Sequence, residues 1–331
     1  MTPRRAVLAA VAAPVVAMML AAGCGTTDRS FGIEESTVPL FDDEGPDQTD
    51  LPTSTPSSAG VHEAPALRVE DLPAPRTGVS GVVVVDDVLL PVEVSDEGLV
   101  AVGPCGQSVV VEQQPQRDLL VILDPVGETE AFALVEPIMA LAAERLNAAQ
   151  IRATVTRSDS TVVAAPTRAA AAVASGARLL VSMGLQEVAD ETAAGQHLAI
   201  DVFHQIDSSQ SRRFGGLLHE NIQSVLETYD VSWLAASGSG VRPLLNQRGT
   251  DFYTMLRDTE EIDSVVVLLG GRAADTETLL GSASGRSELA DALVDAIVRQ
   301  FMTNDVGGGY IQPSETVRNA PTADGAPECG S

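Results

Sequence analysis

Between Leu119 and Phe301 the chain alternates two kinds of hydrophobic pattern. Short, almost continuous apolar runs occur at Leu119–Asp124, Ala153–Thr156, Leu179–Met183, Leu198–Phe203, Phe252–Leu256 and Val265–Leu269. Their length and β-branched content are those of buried strands. Between them apolar residues return every three or four positions, near Ala131–Ala149, Thr167–Ser175, Ser211–Thr228 and Glu288–Phe301. That is the period of helices with one buried face. Strand and helix in alternation predict an α/β three-layer sandwich with a largely parallel or mixed sheet, occupying residues 117–303. No repeat period appears, and the length suits one domain.

The preceding stretch, "GVSGVVVVDDVLLPVEVSDEGLVAVGPCGQSVVVE", carries β-branched runs broken at Asp86-Asp87 and Asp96-Glu97-Gly98. This is hairpin punctuation, and it predicts a small all-β unit over 78–116. Residues 24–77 have few large apolar side chains and are rich in Thr, Ser, Pro, Asp and Glu, as in "DDEGPDQTDLPTSTPSSAG". Such a segment buries too little surface to offset its ordering entropy and is expected to be a disordered acidic linker. Residues 304–331 form a Gly/Pro-rich C-terminal tail.

At the start, Arg4 and Arg5 precede a small-apolar run from Ala6 to Gly23 that stops at Cys24. The run is short for a spanning helix and has the layout of a secretory signal peptide over 1–23. "LAAGC" resembles a bacterial lipobox, which makes Cys24 the expected lipidation site. The body is then expected outside the cytoplasm, anchored by lipid to the outer face of the cell membrane.

Composition narrows the partners. With 20 basic and 46 acidic residues the formal charge is −26, and every basic residue is arginine. Such a surface repels nucleic acid and anionic lipid, so no nucleic-acid partner is expected. Besides Cys24 the chain has Cys105 in "GPCG" and Cys329 in "PECG". In an oxidising compartment an even pair usually bridges, and this disulfide would pin the tail to the β unit.

Four landmarks between Leu119 and Phe301 resemble, in order, the zinc-dependent N-acetylmuramoyl-L-alanine amidases, which cut stem peptides from peptidoglycan. The family's first strand ends in Asp-Pro-Gly-His-Gly-Gly, where this chain has Asp124-Pro125-Val126-Gly127-Glu128. "ATVTRSD" with Arg168 resembles the family's Thr-Arg-x-x-Asp…Arg run, and "GARLLVSMGLQ" its Ala-Asp-Leu-Phe-Ile-Ser-Ile-His-Ala-Asn strand. "NQRGTDFYTMLRDTEEIDSVVVLLGG" is similar to the stretch leading to Pro-Ala-Val-Leu-Val-Glu-x-Gly-Phe. The β unit with "GPCG" is similar to the segment before this domain in actinobacterial members.

The resemblance implies a zinc held by two histidines and a glutamate, with a further glutamate as general acid/base. Here the first histidine position is Gly127, the second is Gly184, and the catalytic position is Leu268. The glutamate ligand corresponds to Glu130 or to Glu128. Glycine and leucine offer no donor, so neither catalysis nor a metal cofactor is expected. Returning histidine at 127 and 184 is expected to restore a zinc site beside Glu130, because both positions follow strand ends facing one crevice in the resembled fold.

No other constellation replaces that site. His62 lies in the linker, and His197, His204 and His219 have neither a helical nor a strand-pair ligand spacing, so they read as surface or second-layer residues. No Gly-x-Ser-x-Gly joins a strand to a helix. "SGSGVRP" lacks the context of a phosphate loop, and Glu128 with Glu130 reads as a solvated pair. Three readings follow: an inactive amidase-like protein that binds peptidoglycan or regulates a wall-remodelling protein; an active, zinc-loaded amidase; and a structural lipoprotein.

Overall fold

The computed structural model describes residues 79–96, 98–103, 106–127, 129–186, 200–231, 240–271, 274–309 and 311–317. The signal segment, the linker, His62, His197, Glu128 and all three cysteines lie outside the described residues.

Strand β5 (Val121–Pro125) is buried along its whole length, which demands cover on both faces. It lies second in a six-stranded sheet that also contains β6 (Ala153–Val155), β7 (Leu179–Gln186), β8 (Asp201–His204), β9 (Gly240–Arg242) and β11 (Asp263–Gly271), in the order β6-β5-β7-β11-β8-β9. β6, β5, β7 and β11 run parallel, β8 runs antiparallel to β11, and β9 follows β8. The fold is an α/β sandwich with a mixed sheet.

Alternation of side chains divides each central strand between two cores. Val121 and Leu123 of β5, Val181 and Met183 of β7, and Val265 and Val267 of β11 face one core. That core is completed by helices α1 (Thr129–Ala148), α3 (Ser209–Leu226) and α6 (Ala283–Met302), with Phe214 and Leu146 fully buried in it. Ile122 and Leu180 point the other way, toward α2 (Ala165–Ala174), toward Met255 of the one-turn α4 (Thr254–Arg257), and toward Val82 and Leu89.

Those last two residues belong to the four-stranded antiparallel sheet β1 (Val79–Val85), β2 (Val88–Ser95), β3 (Gly98–Val102) and β4 (Ser108–Val110). Its first turn is Asp86-Asp87, both with positive φ, the backbone that two-residue hairpins need. At Gly81 the register shifts, and a Cβ there would run into the Gln116 carbonyl, so only glycine lets the two segments pair.

Several boundaries differ from expectation. The Phe252–Leu256 run is not a strand: Thr254, Met255 and Leu256 are all buried in the helical turn α4. A short apolar run does not by itself separate strand from buried helix. The last helix starts at Ala283 because Ser282 caps it, accepting from Gly285 N–H, and a helix not foreseen, α5 (Ala274–Gly281), precedes it. The two-stranded pair β10 (Leu244–Leu245) and β12 (Glu315–Thr316) fixes the described end of the tail. Among the described residues no helix is long and apolar enough to cross a membrane.

Candidate functional site

The period-two alternation places Asp124, Ser182, Gly184 and Leu268 on the α2-facing side of the sheet, at or near the C-terminal ends of β5, β7 and β11. Parallel register makes Asp124 the neighbour of Ser182 and Gly184 the neighbour of Leu268. Gly127 follows two residues after the end of β5, where Val126 N–H donates to the Met183 carbonyl. Gly184 and Leu268 are therefore side by side at the strand ends, where the resemblance places its crevice, with Val126 against Gly184, while Gly127 packs against Ala131 and Phe132 of α1.

Beneath the crevice sits a polar frame. Asp124 is fully buried and accepts from Thr156 Oγ1 at 2.6 Å, Arg168 Nε at 2.8 Å and Ser182 Oγ at 2.9 Å. Arg168 also donates to the Val163 carbonyl, so its guanidinium is held at both ends. The neighbouring Arg157 donates to the carbonyls of Pro125 (3.3 and 3.2 Å), Gly127 (2.9 Å) and Thr161 (2.6 Å). Its guanidinium carbon lies 4.5 Å from the Phe132 ring centroid. Burial, followed by the like charge of Arg168, lowers the Arg157 pKa, but a guanidinium stays protonated at such a site. Four carbonyl contacts and an aromatic face compensate the buried cation and fix the turn between β5 and α1.

The front of the crevice is apolar. A Cβ added to Gly184 would stand 3.3 Å from Val126 Cβ and 3.6 Å from Leu268 Cδ2, so these two side chains close over the glycine. Gly127 has φ +129°, and a Cβ there would approach Ala131 Cβ to 2.8 Å. This corrects the expectation that histidines fit readily at both positions. At 127 the backbone excludes a side chain as well as lacking one.

Zinc does not fit the side chains described. Val126, Gly184 and Leu268 supply no ligand atom, and Glu130 is exposed in the first turn of α1. Among the described residues no three His, Cys, Asp or Glu side chains gather closely enough to hold a metal ion. His204 and His219, read from sequence as surface or second-layer residues, are both buried, and burial pushes both pKa values down. His204 sits at the far end of β8 and its Nδ1 donates to the Gln205 carbonyl at 2.8 Å.

No family model matches the chain, and no curated protein matches it. Solved structures do. The N-acetylmuramoyl-L-alanine amidase AmiC2 of Nostoc punctiforme is 17% identical, with 55% of this chain and 97% of that one covered at a TM-score of 0.42. Ami1 from Mycobacterium abscessus, an N-acetylmuramyl-L-alanine amidase, is 19% identical over 56% and 99% of the two chains, with a TM-score of 0.42. The CwlD amidase from Clostridioides difficile, solved in complex with the GerS lipoprotein, is 17% identical over 55% and 98%, with a TM-score of 0.41. Likeness at this level transfers no chemistry, which has to be read from the crevice itself.

Sequence reasoning used Asp124, Arg168 and the stretches holding Thr156, Arg157 and Ser182 as landmarks but missed that these residues form one bonded frame. A signal was present: a carboxylate ending an otherwise apolar strand, and a lone arginine in the alanine-rich helix "APTRAAAAVA". Groups of that kind are rarely buried unless paired.

Proposed function

We propose that this chain is a lipid-anchored, amidase-like cell-wall protein without hydrolytic activity, which binds peptidoglycan or regulates a wall-remodelling partner. One observation carries the reading: a fully bonded polar frame under strand ends whose front is lined by Val126, Gly184 and Leu268. Amide hydrolysis of the resembled kind needs a Lewis acid for the oxyanion and a carboxylate to move protons. Val126, Gly184 and Leu268 supply neither. The frame meanwhile holds the strand ends and the β5–α1 turn in place, which supports a crevice kept for contact.

The test uses the mature full-length protein and purified peptidoglycan. Metal content is measured after exposure to zinc, stem-peptide release is followed by chromatography, and binding by cosedimentation. Expected are no stoichiometric zinc, no release, and cosedimentation that Leu268→Arg weakens. Tightly held zinc with stem-peptide release would establish the active amidase instead. Failure to cosediment, with no wall-remodelling enzyme altered in rate, would leave a structural lipoprotein.

A further inference from the structure

Because β8 runs against β11, its C-terminal end opens on the opposite rim of the sheet from the Gly184 crevice: Asp201 pairs with Leu268, whereas His204 pairs with Val265. A cavity of about 550 Å³ lies there, lined among others by His204, Ile206, Asp207, Arg212, Pro243 and Ile311. Its size is that of a small-molecule site.

Three kinds of group meet in it. The first is a buried acceptor: His204 is only 4% exposed, and its Nδ1 proton is committed to the Gln205 carbonyl, which leaves the Nε2 lone pair as the ring's free polar atom. Burial, aided by the Arg212 charge, favours this neutral form. The second is a donor set at the start of α3, an 18-residue helix. Ser208 Oγ accepts from Ser211 N–H, and the N–H groups of Ser209 and Gln210 make no hydrogen bond among the described residues. Ser209 lines the cavity together with Arg212, which brings its unbonded amide, at the positive end of the helix, to the same space. The third is the Asp207 carboxylate, close enough to Asp251 to help raise that residue's pKa. Ile206 and Ile311, 38% and 39% exposed, are among the large apolar side chains left open to solvent, and both line this cavity.

A simple anion would satisfy Arg212 and the helix start but would meet Asp207. A simple cation would meet Arg212. We infer that the cavity binds the head of an α-amino acid with an apolar side chain. Its carboxylate faces Arg212 and the Ser209 amide, its ammonium donates to His204 Nε2 and Asp207, and its side chain packs on Ile206, Pro243 and Ile311. This site is separate from the crevice of the proposed function and does not depend on it.

Leucine, N-acetyl-leucine and leucinamide serve as probes in amide NMR titrations of the mature protein. Leucine should give saturable shifts at residues 206–212 with a millimolar Kd. N-acetyl-leucine, which lacks the ammonium, and leucinamide, which lacks the carboxylate, should each bind about tenfold more weakly, the equivalent of about 1.4 kcal/mol. Arg212→Gln should erase the preference for leucine over leucinamide, and Asp207→Asn the preference over N-acetyl-leucine. Both side chains are on the surface, so both variants should keep the wild-type spectrum elsewhere. Absence of saturable shifts, equal binding of the three probes, or preferences unchanged in the variants would each overturn the assignment.

Discussion

Replacing Arg168 with methionine tests whether the frame under the crevice is an internal charge pair. Asp124 is fully buried and the Arg168 side chain is 10% exposed, so methionine removes the one cation that, among the described residues, is bonded to an anion that water does not reach. Breaking such a pair from one side costs about 3–5 kcal/mol. The hydroxyls of Thr156 and Ser182 still donate to Asp124, which places the expected loss near about 3 kcal/mol. With a urea m-value of about 2 kcal/mol/M, the midpoint should fall by about 1.5 M at unchanged m. Removing both charges in Asp124→Leu/Arg168→Met leaves two hydroxyls without their acceptor, and the double variant should lose only about 1–2 kcal/mol. Circular dichroism during urea unfolding of the wild type, Arg168→Met, Asp124→Leu and the double variant, four proteins in all, gives the coupling directly. A loss below about 1 kcal/mol for Arg168→Met, or a double variant that loses the sum of the two single losses, would refute the pair.

Further tests follow from other sites. Burial raises the Asp251 carboxyl from 3.8 to about 6, with Asp207 and Glu260 adding and the Ile206 amide and Arg257 opposing. The folded state holds this proton longer than the unfolded one, so the contribution to stability is complete below about pH 4 and is lost as pH rises through 6; Asp251→Asn should flatten thermal melts across that window, and an unchanged slope would remove the assignment. Gly127→His should destabilise by about 1–3 kcal/mol through its backbone alone, and with Gly184→His should take up no zinc in calorimetric titration; tight uptake would show that the turn rearranges at little cost. Cys24→Ser should abolish lipid labelling and move the protein to the aqueous phase of a detergent partition, whereas unchanged labelling would place the anchor elsewhere. Non-reducing peptide maps should recover Cys105 joined to Cys329, a link worth about 2–5 kcal/mol; two alkylatable thiols in the secreted protein would exclude it.

The central strands were legible because burial on both faces leaves a continuous apolar run, as in "VILDP" of β5 and "LLVSMGLQ" of β7. Helix α1 was legible from its period, to within about two residues. What local pattern does not carry is pairing. The reversal of β8 is a property of its neighbour β11, and nothing in "DVFH" differs from a parallel strand. The frame was hidden for the same reason, since the donors to Asp124 lie 32, 44 and 58 residues away. Gly127 and Gly184 were read from sequence as positions without a ligand. Only the structure distinguished a site that has room, or nearly so, from one whose backbone forbids a side chain.

The reversed strand also bears on how such a chain can change over generations. In an all-parallel sheet the loops that carry function crowd onto one rim, and an alteration there disturbs every activity the fold supports. Turning β8 around gives the opposite rim its own strand end and its own helix start at Ser209. Substitutions separated by the length of a strand and sharing no partner are close to additive in free energy. A substitution on the His204 rim is thereby largely uncoupled from one on the Gly184 rim, and such a scaffold can vary one rim without disturbing the other.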